Sequence, residues 1–290
     1  MDNYYGNSGT SSIRLHGRLL DFSRPWVMGI VNVTPDSFFS GSRTPDNAAL
    51  RDRVRLLRSQ GADALDIGGY STRPGADEVS EDEECRRLQA GLRIIREEWP
   101  DAIVSVDTFR AGVARRCVME WGADIINDIS GGDLDPDMFA TVAELGVPYI
   151  LMHTRGTPQT MQTLCDYTDV AAEVLSDLAF KVGKLRSLGV ADIIVDPGYG
   201  FAKDTAQNYR LLAAQSSFRS LGCPLLAGLS RKSMIFRPLG ITPQEALNGT
   251  TALNTIALLG GADILRVHDV AEARQVVELV DLLRKNSRPC

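Results

Sequence analysis

The sequence has few of the residues that build disulfide frameworks or metal centres. Its five cysteines form no C-x-x-C pair, and its three histidines, His16, His153 and His268, are too far apart for a zinc motif. It also has no apolar run long enough to span a bilayer and no basic excess, because its formal net charge is -6. These shortages argue against a disulfide-stabilised, zinc-binding, membrane-spanning or nucleic-acid-binding protein.

The chain is that of an ordinary globular protein, with 290 residues of which 44% are hydrophobic. Its first residues, "MDNYYGNSGTSS", lack the basic start and apolar core of a secretory signal. We therefore expect a flexible N-terminal tail over residues 1–12, one domain over residues 13–290, and a cytoplasmic location.

Short apolar runs alternate with amphipathic stretches along the chain. The eight runs are "WVMGIVNV", "ADALDIGG", "AIVSVDT", "ADIINDIS", "PYILMH", "DIIVDPG", "LLAGLS" and "DILRVHD". Between them lie helical patterns such as "SEDEECRRLQAGLRIIREEWP", several of which end in Gly before "AD". The alternation predicts an α/β fold, a (β/α)8 TIM barrel, after a short hairpin "SIRLHGRLLDF" that turns at Gly17. An open doubly wound sheet is the rival, but no Gly-rich dinucleotide fingerprint follows the first strand.

The predicted strands end in polar residues, at the edge where such barrels carry their active sites. These residues include Asn32, Asp107, Asn127, His153, Asp196, Ser230, Arg266 and His268. Alternate strand residues face the same side, so Asn127 shares a face with Ile125, and Arg266 with Ile264. The polar groups are therefore predicted to line a cavity with apolar walls.

The predicted cavity has two chemical halves. Asp107, Asp196 and the Asn127 amide suit the N–H groups of a pterin or purine-like ring. The opposite half is cationic and suits a phosphate or carboxylate. Its residues are Arg73, Lys203, Arg231, Lys232, Arg266 and His268. Taken alone, Asp107 could instead cap a helix and Asp196 could begin a turn.

The motifs "MGIVNVTPDSF", "DIGGYSTRPGA", "VSVDT", "IINDI", "LMH", "VDPGYGFAK", "GLSRKS" and "RVHDV" resemble those of the dihydropteroate synthase family, in the same order. The resemblance implies a pterin-binding transferase that joins 7,8-dihydropterin pyrophosphate to p-aminobenzoate in folate biosynthesis. It also implies a Mg²⁺ cofactor, sulfonamide inhibitors and a homodimer packed through the later helices. Its partners would be small molecules, without nucleic acid or membrane.

The resemblance also implies roles for individual residues. The pterin would contact Asp107, Asn127, Met152, Asp196, Gly228 and Lys232. The pyrophosphate would contact Asn32, Arg73, Arg266 and His268, with the metal at Asn32. The p-aminobenzoate site would comprise Ser71, Thr72, Arg73, Pro74, Phe201, Lys203, Lys232 and Ser233. The catalytic set would be Asp107, Asp196, Lys232, Arg266 and His268.

Two positions depart from the family pattern. Ser40 stands where an acidic residue is usual, so any part of that carboxylate in metal handling falls to another group, such as Asp36. Tyr70 replaces a glutamate and either reshapes the cavity mouth or packs against a neighbouring loop. Two other functions stay open: a barrel that transfers methyl from methyltetrahydrofolate to a corrinoid protein, and a non-catalytic pterin-binding subunit. The first has no use for "SRKS" and "STRPGA" around a second substrate.

Overall fold

The computed structural model describes residues 11–33, 45–70 and 79–286. It opens with an antiparallel hairpin of β1 (Ser12–Leu15) and β2 (Arg18–Asp21). His16 and Gly17 have φ angles of 49° and 72°, the left-handed backbone that a two-residue hairpin turn requires. The predicted turn at Gly17 is confirmed. Residues 1–10 of the predicted tail lie outside the described residues, and Ser12 already belongs to β1.

Eight parallel strands follow and form the predicted (β/α)8 barrel. They are β3 (Trp26–Asn32), β4 (Ala64–Gly68), β5 (Ile103–Asp107), β6 (Ile125–Asp128), β7 (Tyr149–Met152), β8 (Ile193–Asp196), β9 (Leu226–Ala227) and β10 (Ile264–Val267). The strand order runs from β8 down to β3 and then through β10 to β9. Val195 on β8 bridges to Leu225 beside β9, which brings the two ends of the sheet together. All eight strands match the eight apolar runs of the sequence.

Helices cover the outside of the barrel between the strands. They are α1 (Pro45–Ser59), α2 (Glu81–Glu98), α3 (Ala111–Trp121), α4 (Met138–Leu145), α5 (Val170–Ser187), α6 (Thr205–Ala213), α7 (Ser233–Leu239), α8 (Leu247–Leu259) and α9 (Val270–Asn286). As the sequence predicted, α3 ends at a left-handed glycine, Gly122, where φ is 70°. Among the described residues, no helix is both long and apolar enough to span a bilayer.

The strands bury both of their faces, which explains their nearly continuous apolar sequences. Outward residues such as Val27 and Val31 join the core beneath the helices. Inward residues such as Met28 and Ile194 form a second cluster inside the barrel, and Ile13 of the hairpin packs against it. Inside the barrel, polar side chains therefore concentrate toward the C-terminal strand ends.

The aspartates of the "AD" pairs stabilise the opposite, N-terminal end of the barrel. Asp63, Asp124 and Asp263 each accept a backbone N–H from a neighbouring strand or its lead-in, at 2.7 to 2.9 Å. Asp192 accepts the N–H of Arg14 in the hairpin at 2.7 Å. These bonds hold the barrel together away from the cleft described below.

Candidate active site

The carboxyl ends of the barrel strands surround one cleft of about 990 Å³. The strand register aligns Asn32, Gly68, Asp107 and Asn127 in one row on β3 to β6. Most of the residues that the family resemblance implies line this cleft. They are Asn32, Asp107, Asn127, Met152, Asp196, Phe201, Gly228, Lys232, Ser233, Arg266 and His268. Ser71, Thr72, Arg73 and Pro74 lie outside the described residues, as do Asp36 and Ser40.

Arg266 crosses the floor of the cleft and pairs with two carboxylates. Its Nε donates to Asp66 Oδ2 at 2.6 Å, and its Nη2 donates to Asp107 Oδ2 at 2.8 Å. The two buried carboxyls therefore share one guanidinium. Burial raises the pKa of Asp107 well above its usual range, Arg266 opposes the rise, and the charge of Asp66 adds to it.

The Asn127 amide is held in one orientation. Its Nδ2 donates to Asp66 Oδ2 at 3.1 Å, and its side chain is 4% exposed. Because Nδ2 is the donor half of the amide, Oδ1 is left as the acceptor half. Asn127 therefore offers a carbonyl oxygen to a ligand N–H group.

Asp196 and Lys232 bring opposite charges to another part of the cleft, and each charge acts on the pKa of the other. Asp196 Oδ1 accepts the N–H of Gly198 at 2.7 Å, so this residue does begin a turn while it lines the cleft. Lys232 donates to the carbonyl of Tyr199, and its Nζ lies 4.7 Å from the centre of the Phe201 ring. Burial lowers the pKa of Lys232 to about 8, and Asp196 opposes that change.

Asp107 does not cap the helix that follows it. The N-cap residue of α3 is Arg110, and its side chain makes no capping bond. The alternative of a capping role for Asp107 is therefore wrong, and the carboxylate is committed to the cleft instead.

His268 lies beside Ser230 at the other side of the cleft. Its Nδ1 is 3.0 Å from Ser230 Oγ, which also accepts the His268 backbone N–H at 3.2 Å. Burial, reinforced by the charge of Arg266, lowers the pKa of His268 to about 4. The imidazole is therefore neutral at pH 7 and acts as a hydrogen-bonding group.

The structure places Lys203 behind the cleft. It is 3% exposed, and its Nζ lies 3.1 Å from His153 Nδ1, 3.0 Å from Gly198 O and 2.9 Å from Phe201 O. Burial lowers the pKa of Lys203 to about 7 and that of His153 to about 2. Lys203 thus ties the segment from Gly198 to Phe201 to the barrel.

The guanidinium of Arg231 also has a protein partner. It forms a two-bond ion pair with Asp269 at 2.8 and 2.9 Å, although Arg231 borders the cleft as well.

Tyr70 fulfils both of its predicted alternatives. Its ring packs edge-on against Phe109, with centroids 5.2 Å apart, and the Arg110 guanidinium lies 5.5 Å from its centre. The Gln159 amide donates to its hydroxyl at 3.4 Å. Tyr70 also borders the cleft, so its ring forms part of the mouth as well as packing against its neighbours.

Asp66 is the main site residue that the sequence analysis missed. Asp66 lies two residues before the end of β4, whereas the predicted site residues of the other strands lie at the strand ends. The signal was available, because strand alternation places Asp66 on the same face as Ala64 and Gly68. A carboxylate at an inward position of a buried strand is itself unusual.

A barrel whose strand ends present carboxylates, an amide and cations to one cleft has the arrangement expected of the class of pterin-binding enzymes. The family described as pterin binding enzyme matches this chain over residues 28–268. Dihydropteroate synthase of Synechocystis is 44% identical over 263 residues, which cover 90% of each chain. The Escherichia coli enzyme of the same name is 42% identical over 277 residues, 94% of this chain and 97% of its own.

Solved structures give the same result. Yersinia pestis dihydropteroate synthase, in complex with a sulfonamide drug, has a TM-score of 0.87 at 38% identity and covers 95% of this chain and 100% of its own. The Xanthomonas albilineans enzyme with 4-aminobenzoic acid has a TM-score of 0.87 at 38% identity and covers 97% and 100%. The chain belongs to the dihydropteroate synthase family and is a transferase.

Proposed function

We propose that the cleft catalyses the dihydropteroate synthase reaction of folate biosynthesis. The substrates are 6-hydroxymethyl-7,8-dihydropterin diphosphate and p-aminobenzoate, and the products are 7,8-dihydropteroate and pyrophosphate. The observation that carries this proposal is the convergence of Asp107, Asn127, Asp196 and Lys232 on the same cleft as Arg266. These residues come from five different segments, and only the folded barrel brings them together.

The pterin ring would bind among the acceptors. Asp107, Asp196 and Asn127 Oδ1 match the N–H groups of a pterin, and a buried acceptor is stabilised when such a donor reaches it. Lys232 would donate to an acceptor of the ring. Met152 would pack against one face, and Gly228 leaves room beside Lys232 and Asp196, since a Cβ there would lie 3.8 Å from Lys232 Nζ and 3.9 Å from Asp196 Oδ2.

The diphosphate would extend toward Asn32, Arg266 and His268. Arg266 keeps N–H groups beyond the two that it gives to carboxylates, because a guanidinium has five. His268 is neutral, so it contributes a hydrogen bond without adding positive charge. Arg73 is proposed for the same group on the family resemblance alone.

The reaction is a substitution at the methylene carbon. The C–O bond to the diphosphate breaks first and its electron pair leaves with pyrophosphate, so positive charge develops on the methylene and spreads into the pterin. Fixed carboxylates at Asp107 and Asp196 stabilise that charge. The p-aminobenzoate nitrogen then forms the C–N bond with its lone pair and loses a proton to water. The arylamine is already neutral at pH 7, so the step needs no strong general base.

The residues present fit a magnesium ion that is bound largely by substrate. The described residues contain no group of three or more His, Cys, Asp or Glu side chains that could hold a metal. Asn32, which is half-buried and lines the cleft, would supply an amide oxygen, and the diphosphate and water would supply the rest. When bound, the ion offsets negative charge on the leaving diphosphate. Turnover that continues unchanged in EDTA would contradict this assignment.

The p-aminobenzoate would bind toward Phe201, Lys232 and Ser233, which line the cleft, and toward Ser71 to Pro74. The contacts of Lys203 support an indirect part in this subsite, through the backbone of Phe201. Lys203 would then hold the subsite in place without contacting the substrate.

The outer face of the last two helices supports the proposed homodimer. Ile256 on α8 and Leu279 and Leu282 on α9 expose 47%, 67% and 55% of their surfaces, and the two helices contact each other. Light scattering of the wild type and of Leu279→Glu tests this surface: a dimer that the charged variant converts to a monomer is expected. A monomeric wild type would contradict it. The cytoplasmic location and the lack of nucleic-acid partners stay predictions.

The activity is tested by incubating the purified protein with both substrates and Mg²⁺, and by measuring pyrophosphate release together with dihydropteroate. Equal amounts of the two products are expected. Binding of the pterin substrate without release of pyrophosphate would instead indicate a non-catalytic subunit, and release without dihydropteroate would show hydrolysis.

A further inference from the structure

Asp66 lies below the cleft, one layer deeper than the proposed substrate contacts. The strand register places it beside Ile30 on β3 and Ser105 on β5, and it is fully buried. A carboxylate in such a layer is costly unless partners compensate for the water that it has lost. Its partners therefore indicate what it does.

Within the described residues, both side-chain hydrogen bonds of Asp66 go to residues that line the cleft. Oδ2 accepts from Arg266 Nε at 2.6 Å and from Asn127 Nδ2 at 3.1 Å. Oδ1 is buried and has no hydrogen-bond partner among the residues that the structure describes. An aliphatic side chain would fill this layer without that cost, so packing alone does not explain the carboxylate.

The shared oxygen fixes two directions at once. It holds the donor half of the Asn127 amide downward, so that Oδ1 is the half offered to a ligand. It also fixes Nε of the Arg266 guanidinium, while Asp107 Oδ2 accepts from Nη2 at 2.8 Å. We propose that Asp66 is a positioning residue that determines which atoms of Asn127 and Arg266 meet the dihydropterin diphosphate.

This inference rests on the proposed function, and its test uses binding so that turnover is not needed. Calorimetry would measure the Kd of 6-hydroxymethyl-7,8-dihydropterin diphosphate for the wild type, Asp66→Ala and Asp66→Asn. Asp66→Ala removes the shared acceptor and is expected to weaken binding 10- to 100-fold. Asp66→Asn keeps one acceptor oxygen in an isosteric side chain and is expected to recover part of that loss.

The pH dependence of binding supplies a readout that a purely structural role would not change. The charged groups around Asp107 include Asp66 on β4, Glu84 on α2, Asp128 on β6 and Arg266 on β10, together with Lys232 immediately before α7. Removing the negative charge of Asp66 lowers the pKa of Asp107, so Asp107 ionises at lower pH. In both variants, the rise in pterin affinity with pH should therefore move to lower pH.

Ser105→Ala is the matched control, because Ser105 lies in the same layer and its Oγ is a buried polar atom without a partner among the described residues. It should bind as the wild type does, with the same pH dependence. A wild type that does not bind the pterin substrate would refute the proposed function itself. Folded Asp66→Ala and Asp66→Asn proteins with wild-type Kd and pH dependence would refute only the role of Asp66.

Discussion

Replacing Lys203 with methionine separates an anchoring role from direct substrate contact. Methionine keeps most of the apolar stem but removes the donors that hold His153 Nδ1, Gly198 O and Phe201 O. A buried acceptor left without a partner costs about 1–3 kcal/mol. If the segment from Gly198 to Phe201 relaxes in the free variant, the binding of p-aminobenzoate must supply about 2–3 kcal/mol to restore it. This corresponds to a roughly 30- to 150-fold rise in the KM for p-aminobenzoate.

The assay compares two arylamines in the wild type and in Lys203→Met. An anchoring lysine affects p-aminobenzoate and the uncharged p-aminobenzamide by the same factor, because the variant misplaces Phe201 rather than removing a carboxylate partner. A lysine that contacts the carboxylate would affect only p-aminobenzoate. The Kd of the pterin substrate should stay within threefold of the wild type, and Lys184→Met on the exposed side of α5 should change nothing. Loss confined to p-aminobenzoate, or no loss at all in a folded variant, would refute the anchoring role.

Other expected outcomes concern both ends of the barrel. Asp196→Asn should weaken pterin binding by at least tenfold in calorimetry, since it removes the charge that faces the ring; unchanged titration curves would contradict the pterin assignment. Lys232→Ala should weaken the binding of both substrates, and an effect on neither would remove Lys232 from the site. The folded pKa of Lys232 is lowered to about 8, so its ammonium loses a proton as pH rises through that value. The kcat/KM for the pterin substrate should therefore fall above pH 8. A profile that stays flat to pH 9.5 would be inconsistent with a role for the charged form of Lys232. Asp124→Ala should destabilise the protein by about 2–4 kcal/mol in urea unfolding with kcat unchanged, because it leaves the buried N–H of Val104 unpaired at the end remote from the cleft; wild-type stability would show that this bond is dispensable. Sulfonamides should compete with p-aminobenzoate, and inhibition that excess p-aminobenzoate does not relieve would place them elsewhere.

The sequence predicted the barrel because each of its strands and several of its helices carry their own local pattern. Even β9, with only two residues in the sheet, follows from the run "LLAGLS". Strand alternation likewise predicted that Asn127 and Arg266 point inward. That inference needs only the period of the strand, which the sequence contains in full.

Side-chain direction beyond the strands could not be predicted in the same way. Lys203 follows a strand end closely, yet its ammonium turns into the protein because carbonyl groups of its own turn accept from it. Such bonds depend on the loop backbone, including the left-handed φ of 48° at Ala202, and no periodic pattern specifies that backbone. For Asp66 the pattern was sufficient, but its importance depends on Arg266, which lies 200 positions away in sequence.

The aspartates at the two ends of the barrel show how one residue type serves both stability and function. At the N-terminal end, Asp63, Asp124 and Asp263 accept N–H groups of the backbone, which no substrate can displace. At the cleft, one oxygen of Asp107 accepts a hydrogen bond from Arg266, and one oxygen of Asp196 accepts the N–H of Gly198. No donor from the described part of the chain reaches the second oxygen of either carboxylate. Burial raises the pKa of both carboxyls, and among the described residues their remaining acceptor capacity has no donor. A ligand rich in N–H groups would supply the missing donors only at the cleft, so the distribution of donors, rather than of carboxylates, distinguishes the proposed pterin site from the opposite end of the barrel.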